Sequence, residues 1–445
     1  MPYTEVDNIT IFKLTLIAKK AKEQKTLKFT SLMHLLNPAY LFACFEQLKL
    51  KKAPGVDKRT VESYTPSEIK ETIEQTIASL KAHTYRPQPV RRVFIPKANG
   101  KQRPLGIPTV IDKVVQFACA KILEPLFEPL FLDLSYGFRP EKSAHQAISA
   151  VNHMVMQQKV NWIIDADIKG FFDNVDHDKM MRCLKERISD PNMLLLIRGF
   201  LKAGVMAGGN SEKTAKGTPQ GGIVSPILAN IYLHYVLDLW FTVREKKQLN
   251  GYSQLIRYAD DFVIGCQNKQ EAEKILADIK ERFAEFGLAL AEDKTRIIEF
   301  GRFAEGNHAR RNGEKPPTFD FLGFTHYCST TRDGRFAVKV KTCKKKYAAS
   351  LKAVVMWTKT VRNQLSLEDI WKLLALKLKG HYNYYGVSGN FDAIKSFYFH
   401  TRRIAFKWMN RRSQKKSWTW EQFDVFLAKY PLPQPKLTYA IYNTW

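Results

Sequence analysis

Apolar positions recur along the whole chain, but their period changes, and the changes mark the elements. Ile69, Ile73, Ile77 and Leu80 fall at steps of three and four, which predicts a helix with one buried stripe. Thr65 can cap it, Pro66 suits its first turn, and Glu68 completes a capping box. Residues 28–50 read as largely helical, with a break at Asn37-Pro38. Val90 to Ile95 reads as a strand, and a turn around Asn99-Gly100 leads to Gly106-Ile107-Pro108. Residues 109–130 return to helical spacing.

Trp162-Ile163-Ile164 is a short apolar strand, and residues 178–204 predict two helices. Ile223 to Phe241 is a long apolar helix. Leu255 to Ile264 is an apolar hairpin with two acids at its tip, and 270–287 is a helix stopped by Gly287. Strands and helices mixed within one region predict an α+β core. Beyond about 340 the spacing is almost wholly helical. Thr419 and Gln422 form a second capping box, Trp420, Phe423, Leu427 and Tyr430 line one face, and Pro431 ends the helix.

Charge changes the picture. The 445 residues hold 70 Lys plus Arg against 43 Asp plus Glu, a net charge of +27 and a pI near 9.7. Such an excess attracts polyanions, above all nucleic acid. It concentrates late: residues 341–420 hold 18 Lys or Arg and 3 Asp or Glu. Six scattered cysteines form no C-x-x-C pair, which indicates neither a zinc site nor a disulfide framework and fits a reducing cytoplasm. The start, MPYTEVDNIT, has no signal-peptide pattern, and charges interrupt every apolar stretch, so no membrane span is expected.

Two acidic clusters carry the candidate chemistry. Asp167 and Asp173 follow an apolar strand, and Asp260-Asp261 sit at the tip of the apolar hairpin. Converging carboxylates repel unless a cation lies between them. Hard divalent ions such as Mg2+ prefer an all-oxygen setting, and a pair of them suits phosphoryl transfer. Asp and Asn also favour ordinary turns, so a lone Y-x-D-D says little. Asp165 lies two residues before Asp167, hence on the same face of an ideal strand, and spacing alone does not separate them.

The order of the pieces does more. Lys52-Ala53-Pro54-Gly55-Val56-Asp57 comes first, then Ile95-Pro96-Lys97 through Arg103-Pro104-Leu105-Gly106-Ile107-Pro108, then Ser135-Tyr136-Gly137-Phe138-Arg139-Pro140. ADIKGFFD (166–173), GTPQGGIVSPILANIYL (217–233) and YADD (258–261) follow, with Leu288 to Thr295 and Phe321-Leu322-Gly323-Phe324 closing the series. This order resembles the reverse transcriptases, and closely the bacterial group II intron reverse transcriptase/maturases, over nearly the whole chain.

The resemblance implies a right-hand polymerase: an N-terminal extension and start of fingers over 1–90, fingers and palm over 91–330, a helical thumb or maturase-specific domain over 341–430, and a tail over 431–445. It implies addition of dNMPs to a primer 3′-hydroxyl on an RNA template by two-metal chemistry. Asp167, Asp260 and Asp261 would hold two Mg2+ ions, with the Ile168 carbonyl as a further ligand and Mn2+ as a substitute. Lys97 and Arg103 would clamp the triphosphate, and Pro219 and Gln220 would line the nucleotide pocket. Phe172 would be the steric gate against a ribose 2′-hydroxyl, although either it or Phe171 could simply pack the core. Lys294 would be a general acid near the leaving pyrophosphate.

In the late basic lobe, Arg402, Arg403, Arg411, Arg412, Lys415 and Lys416 are the residues expected to bind nucleic acid phosphates. The eleven aromatics of 381–420 can stack on bases or pack the helices. The implied partners are an RNA template, a DNA or RNA primer, dNTPs, a group II intron RNA and its DNA target, in the bacterial cytoplasm and on the nucleoid. No His/Cys-rich endonuclease tail is evident after residue 430. The rival readings are a free-standing relative in DNA repair or phage defence, a splicing factor with a relic polymerase site, and an RNA-dependent RNA polymerase, which Phe172 disfavours.

Overall fold

The computed structural model describes residues 3–48, 52–96, 102–207, 210–212, 216–217, 221–412 and 418–442. It opens with helix α1 (Tyr3–Glu23), which no single apolar stripe announces: Ile9, Ile11, Phe12 and Leu16 are all exposed. Buried Arg187 fastens its end, donating to the carbonyls of Ala21 and Gln24. The largely helical reading of 28–50 holds only for α2 (Pro38–Glu46) and one short turn at Met33–Leu35. Before that turn, Phe29 bridges Ile188, and the Asp190 carboxylate accepts from the backbone N–H groups of Leu32 and Met33. Those partners satisfy the backbone without a helix.

Helix α3 (Pro66–Lys81) carries the expected capping box and buries Ile69, Ile73, Ile77 and Leu80. Strands β1 (Val90–Pro96) and β2 (Gln102–Ile107) form an antiparallel hairpin, and α4 (Val110–Phe127) follows. Next come α5 (Ala144–Gln157), β3 (Trp162–Asp167), the short α6 (Phe171–Asn174), α7 (His177–Lys185) and α8 (Pro191–Lys202). Strands β4 (Val205–Ala207) and β5 (Asn210–Glu212) complete a sheet ordered β2-β1-β4-β5. The long apolar helix begins as α9 (Ser225–Leu233) but widens into π turns at His234–Asp238 and Trp240–Glu245.

Strands β6 (Ser253–Tyr258) and β7 (Asp261–Cys266) are the expected hairpin. Helix α10 (Lys269–Glu285) and β8 (Arg296–Glu299) follow, giving an antiparallel sheet ordered β6-β7-β3-β8. Strand alternation divides this sheet between two cores. Leu255, Ile164, Phe262 and Ile264 pack with Ile275, Ile279 and Phe283 of α10, whereas Ile163, Ile256 and Val263 pack with Val151 and Met154 of α5.

Helix α11 (Ala304–Asn312) leads to a third sheet of β9 (Phe319–Phe321), β10 (Phe324–Thr330) and β11 (Phe336–Thr342). The basic region then forms α12 (Lys344–Val361), α13 (Leu367–Tyr385), α14 (Phe391–Met409) and α15 (Trp420–Lys429) around its own core, which includes Leu374, Tyr382, Phe397 and Phe423. Residues 432–442 pack back onto the fold. Tyr439 bridges Val387, Ile441 is buried, and Ser149 donates to the Ile441 carbonyl at 3.0 Å. No helix among the described residues is long and apolar enough to cross a membrane.

His326 in β10 is fully buried, stacked on Phe319 with ring centroids 4.8 Å apart, and neither of its nitrogens has a hydrogen-bond partner. Burial pushes its pKa down to about 3, and those of His234 and His381 down to about 4. The unfolded chain takes up protons near pH 6.5 that the folded chain refuses, so this stability is intact above 6.5 and is lost as pH falls toward 3–4. These rings give resistance to urea a downward slope as pH falls from 6.5 to 4.5, opposed by the buried Asp261 carboxyl, which takes up its proton earlier in the folded chain. His326→Phe should remove close to one proton from that slope, about 1.4 kcal/mol per pH unit; an unaltered slope would refute a neutral buried ring.

Candidate active site

The central strand β3 lies between β7 and β8, and the register pairs Asp167 directly with Asp261. Directly opposed residues point to the same face, so the two carboxylates stand side by side where the apolar part of the sheet ends. Asp260 belongs to the two-residue turn joining β6 to β7. Its carboxyl is held above the usual range, first by burial and then by the charge of Asp167, with Arg103 and Lys294 opposing. That of Asp261 is pushed up to about 7 by burial and by Asp260 and Asp167. Asp261 keeps an exposed edge on the cleft, where solvent tempers the push.

Lys294 lies just before β8 and forms an ion pair with Asp167 Oδ2. That contact, first among the causes, raises its pKa and keeps the ammonium charged. Asp165, on the same face of β3, is held by Arg296 of β8 at 3.2 Å. Both acids have a basic partner: Asp165 meets Arg296 across the sheet, and Asp167, at the strand end, meets Lys294. Ile168 is buried and its backbone bridges Leu290, while the Asp167 carbonyl accepts from Ala291 N–H. The cleft has a volume of about 580 Å³, and its walls include Asp165, Asp167, Asp261, Lys294, Arg296 and Lys345.

Phe171 and Phe172 divide their roles. Phe171 is 1% exposed and packs toward Tyr232, whereas Phe172 is half-buried and meets Phe171 edge-on at 5.2 Å. Gly217 brings the next block here. Its φ is +88°, and a Cβ would come within 2.8 Å of the Phe172 carbonyl, so only glycine allows that approach. Arg103 is exposed on β2, opposite Ile95 of β1. Lys97, Pro219, Gln220, Lys415 and Lys416 lie outside the described residues.

Sequence reasoning missed the support beneath the hairpin tip. Arg257 and Asp238 are fully buried and paired at 2.6 Å. Asn230 accepts from Arg257 at 3.0 Å and donates to the Gly137 carbonyl at 2.7 Å. Gly137 itself sits where a Cβ would be 2.3 Å from Ala259 N. Fully buried Arg or Asp is rare without a partner. A base inside the apolar hairpin and an acid inside the apolar helix were therefore a readable signal. Arg139 of the same Tyr-Gly-Phe-Arg block is structural, held by Glu128 and the carbonyls of Leu132 and Ser135.

The charges of the basic lobe are partly engaged within the fold. Arg402 is ion-paired with Asp424 and lies over Trp420, so its charge already has an acidic partner within the fold. Arg403, Arg411 and Arg412 are exposed. Arg362, not singled out in the sequence, joins Lys407 and Arg411 around the Trp408 ring at 4.9, 5.9 and 5.4 Å from its centroid.

Residues 95–326 match the family model described as reverse transcriptase (RNA-dependent DNA polymerase), which makes the chain an RNA-directed DNA polymerase by class. It is 30% identical over 462 residues to the group II intron-encoded protein LtrA of Lactococcus lactis subsp. cremoris, covering 87% of this chain and 76% of that protein. Protein YkfC of Escherichia coli strain K12 is 36% identical over 273 residues, covering 55% of this chain and 71% of its own. Nuclear intron maturase 1, mitochondrial, of Arabidopsis thaliana is 35% identical over 95 residues, 21% of this chain and 13% of its own. The chain belongs to the group II intron reverse transcriptase/maturase family.

Proposed function

We propose that this chain extends a primer 3′-hydroxyl with dNMPs on an RNA template, and that it binds a group II intron RNA to assist splicing and retrohoming. The observation that carries the reading is the direct pairing of Asp167 with Asp261 beside the Asp260 turn. In this reading β1 and β2 belong to the fingers, the β6-β7-β3-β8 sheet is the palm, and α12 to α15 form the thumb and maturase domain, with the bounds 1–90, 91–330, 341–430 and 431–445.

Among the described residues no three His, Cys, Asp or Glu side chains are gathered closely enough to hold a metal ion. The donor set nevertheless fits one. Its carboxylates are hard oxygen donors; burial, and after it the charge of the neighbouring carboxylates, pushes Asp260 and Asp261 toward protonation, and a lysine ammonium already sits on Asp167. Asp167, Asp260 and Asp261, with the Ile168 carbonyl, would hold Mg2+ or Mn2+. Bound ions would supply positive charge at the attacking hydroxyl and the leaving oxygen.

The chain's own groups do the rest. Arg103 and Lys97 hold the triphosphate, the first by a forked contact and the second as a point charge. Pro219 and Gln220 line the nucleotide pocket. Phe172 excludes a 2′-hydroxyl, a role favoured by the burial of Phe171 in the core beside it. Lys294 keeps its proton at neutral pH and is available to the leaving pyrophosphate. Arg403, Arg411 and Arg412 neutralise RNA phosphates, together with Lys415 and Lys416.

Primer extension on an RNA template decides the central claim. Wild type should yield full-length cDNA and Asp260→Ala none, while Asp165→Asn on the same sheet should stay within about tenfold of wild type, since it removes a cross-strand pair only. Synthesis by Asp260→Ala would end the reading. Phe172→Ala should relax discrimination against ribonucleotides by roughly 10–200-fold; unchanged discrimination would return Phe172 to packing. In salt titrations of RNA binding, Arg411→Gln should reduce the log–log slope by about 0.7, one single-strand phosphate contact. Arg402→Gln should leave the slope intact and lower the melting temperature instead, because its partner is Asp424.

A further inference from the structure

The hairpin tip is held by a fully buried guanidinium. Arg257 Nε and one terminal nitrogen donate to the two Asp238 oxygens at 2.7 and 2.6 Å, and the other terminal nitrogen donates to Asn230 Oδ1 at 3.0 Å and to the Ala259 carbonyl at 2.9 Å. Ala259 immediately precedes Asp260 and has a φ of +57°, a conformation that side-chain-bearing residues seldom adopt unless their surroundings impose it. Here the surroundings press from two sides: the guanidinium on the carbonyl, and Gly137 against the backbone nitrogen.

The wide turns of the preceding helix serve this contact. An α-helix advances about 100° per residue, so eight steps would leave positions 230 and 238 about 80° apart. The π turns at His234–Asp238 rotate less per residue and swing Asp238 back toward the face of Asn230. Both side chains then reach one guanidinium. An apolar pair of similar volume would often hold the strand equally well, since burying two charges is costly. It could not hold the Ala259 carbonyl.

We propose that Arg257 is a positioning residue of the polymerase site: by fixing the Ala259 carbonyl it sets where Asp260 and Asp261 stand relative to Asp167. The proposal rests on the reading of those three as the reactive carboxylates.

The test uses the full chain and compares wild type, Arg257→Lys and the double variant Arg257→Met with Asp238→Leu, which leaves no stranded charge. Single-nucleotide incorporation, template–primer Kd, the Mg2+ midpoint of activity and the melting temperature are measured. The expected result is an incorporation rate lower by about tenfold or more and a raised Mg2+ midpoint, with Kd within about twofold of wild type and a cooperative melt. A folded variant with unchanged rate and midpoint overturns the proposal. So does a rate loss that only tracks Kd or melting temperature. If neither variant folds, Asn230→Ala decides. It strands no charge and removes one Arg257 partner and the Gly137 contact. A threefold to tenfold rate loss (roughly) with a raised midpoint supports positioning, and no change overturns it. Asp260→Ala measured alongside separates the two claims: if it stays active, the carboxylate reading has failed rather than the anchor.

Discussion

Two like charges side by side at a sheet end are the constraint around which this molecule is arranged. Directly opposed residues on neighbouring strands lie about 5 Å apart. Two full unit charges at a separation of that order would repel by roughly 3 kcal/mol at the effective dielectric of a protein surface. That is a sizeable share of a domain's net stability. The repulsion between Asp167 and Asp261 is tolerated because the strands beneath are buried on both faces and cannot slip. A one-residue change of register would turn every apolar side chain of β3 to the wrong core. The charges are met locally by Lys294 and by the field of Arg103, and the turn is tied to Arg257.

Much of this was legible in the sequence where one force dominates. The apolar stripe and capping box of α3, the hairpin of β6 and β7, and the stop at Gly287 follow from period, cap chemistry and backbone freedom. The ordered blocks single out Asp167 and Asp261, which the register pairs directly, and Asp260 in the turn beside them. Where long-range partners decide, the pattern fell short. Residues 28–32 stay out of a helix because Asp190 and Ile188, far along the chain, take backbone groups of this stretch. The π turns cannot be read from an apolar run, because their cause is a partner on another element. Arg402 looks like any other member of a basic run until Asp424 is folded against it.

The net charge of +27 therefore is not a count of free contacts. It includes Arg187 and Arg139, which hold backbone carbonyls, and Arg257, which holds a turn. What distinguishes the basic lobe is where its charges stand. Arg362, Lys407 and Arg411 gather around one indole, and among the described residues none of the three forms an ion pair with an acid.

That arrangement answers a difficulty the carboxylates create. A nucleic acid backbone is repelled by a negative sheet edge, and the repulsion is strongest within a Debye length of about 8 Å at physiological ionic strength. Lys345, in the first turn of α12, lines the same cleft as Asp167 and Asp261, so the basic helices begin at the acids. In the proposed reading, a strand drawn in by the lobe would meet positive charge up to the edge of the site, and only its reacting end would have to face the carboxylates. On that reading the acids would not have to attract the polyanion themselves, because the charge that draws it would come from elsewhere in the chain.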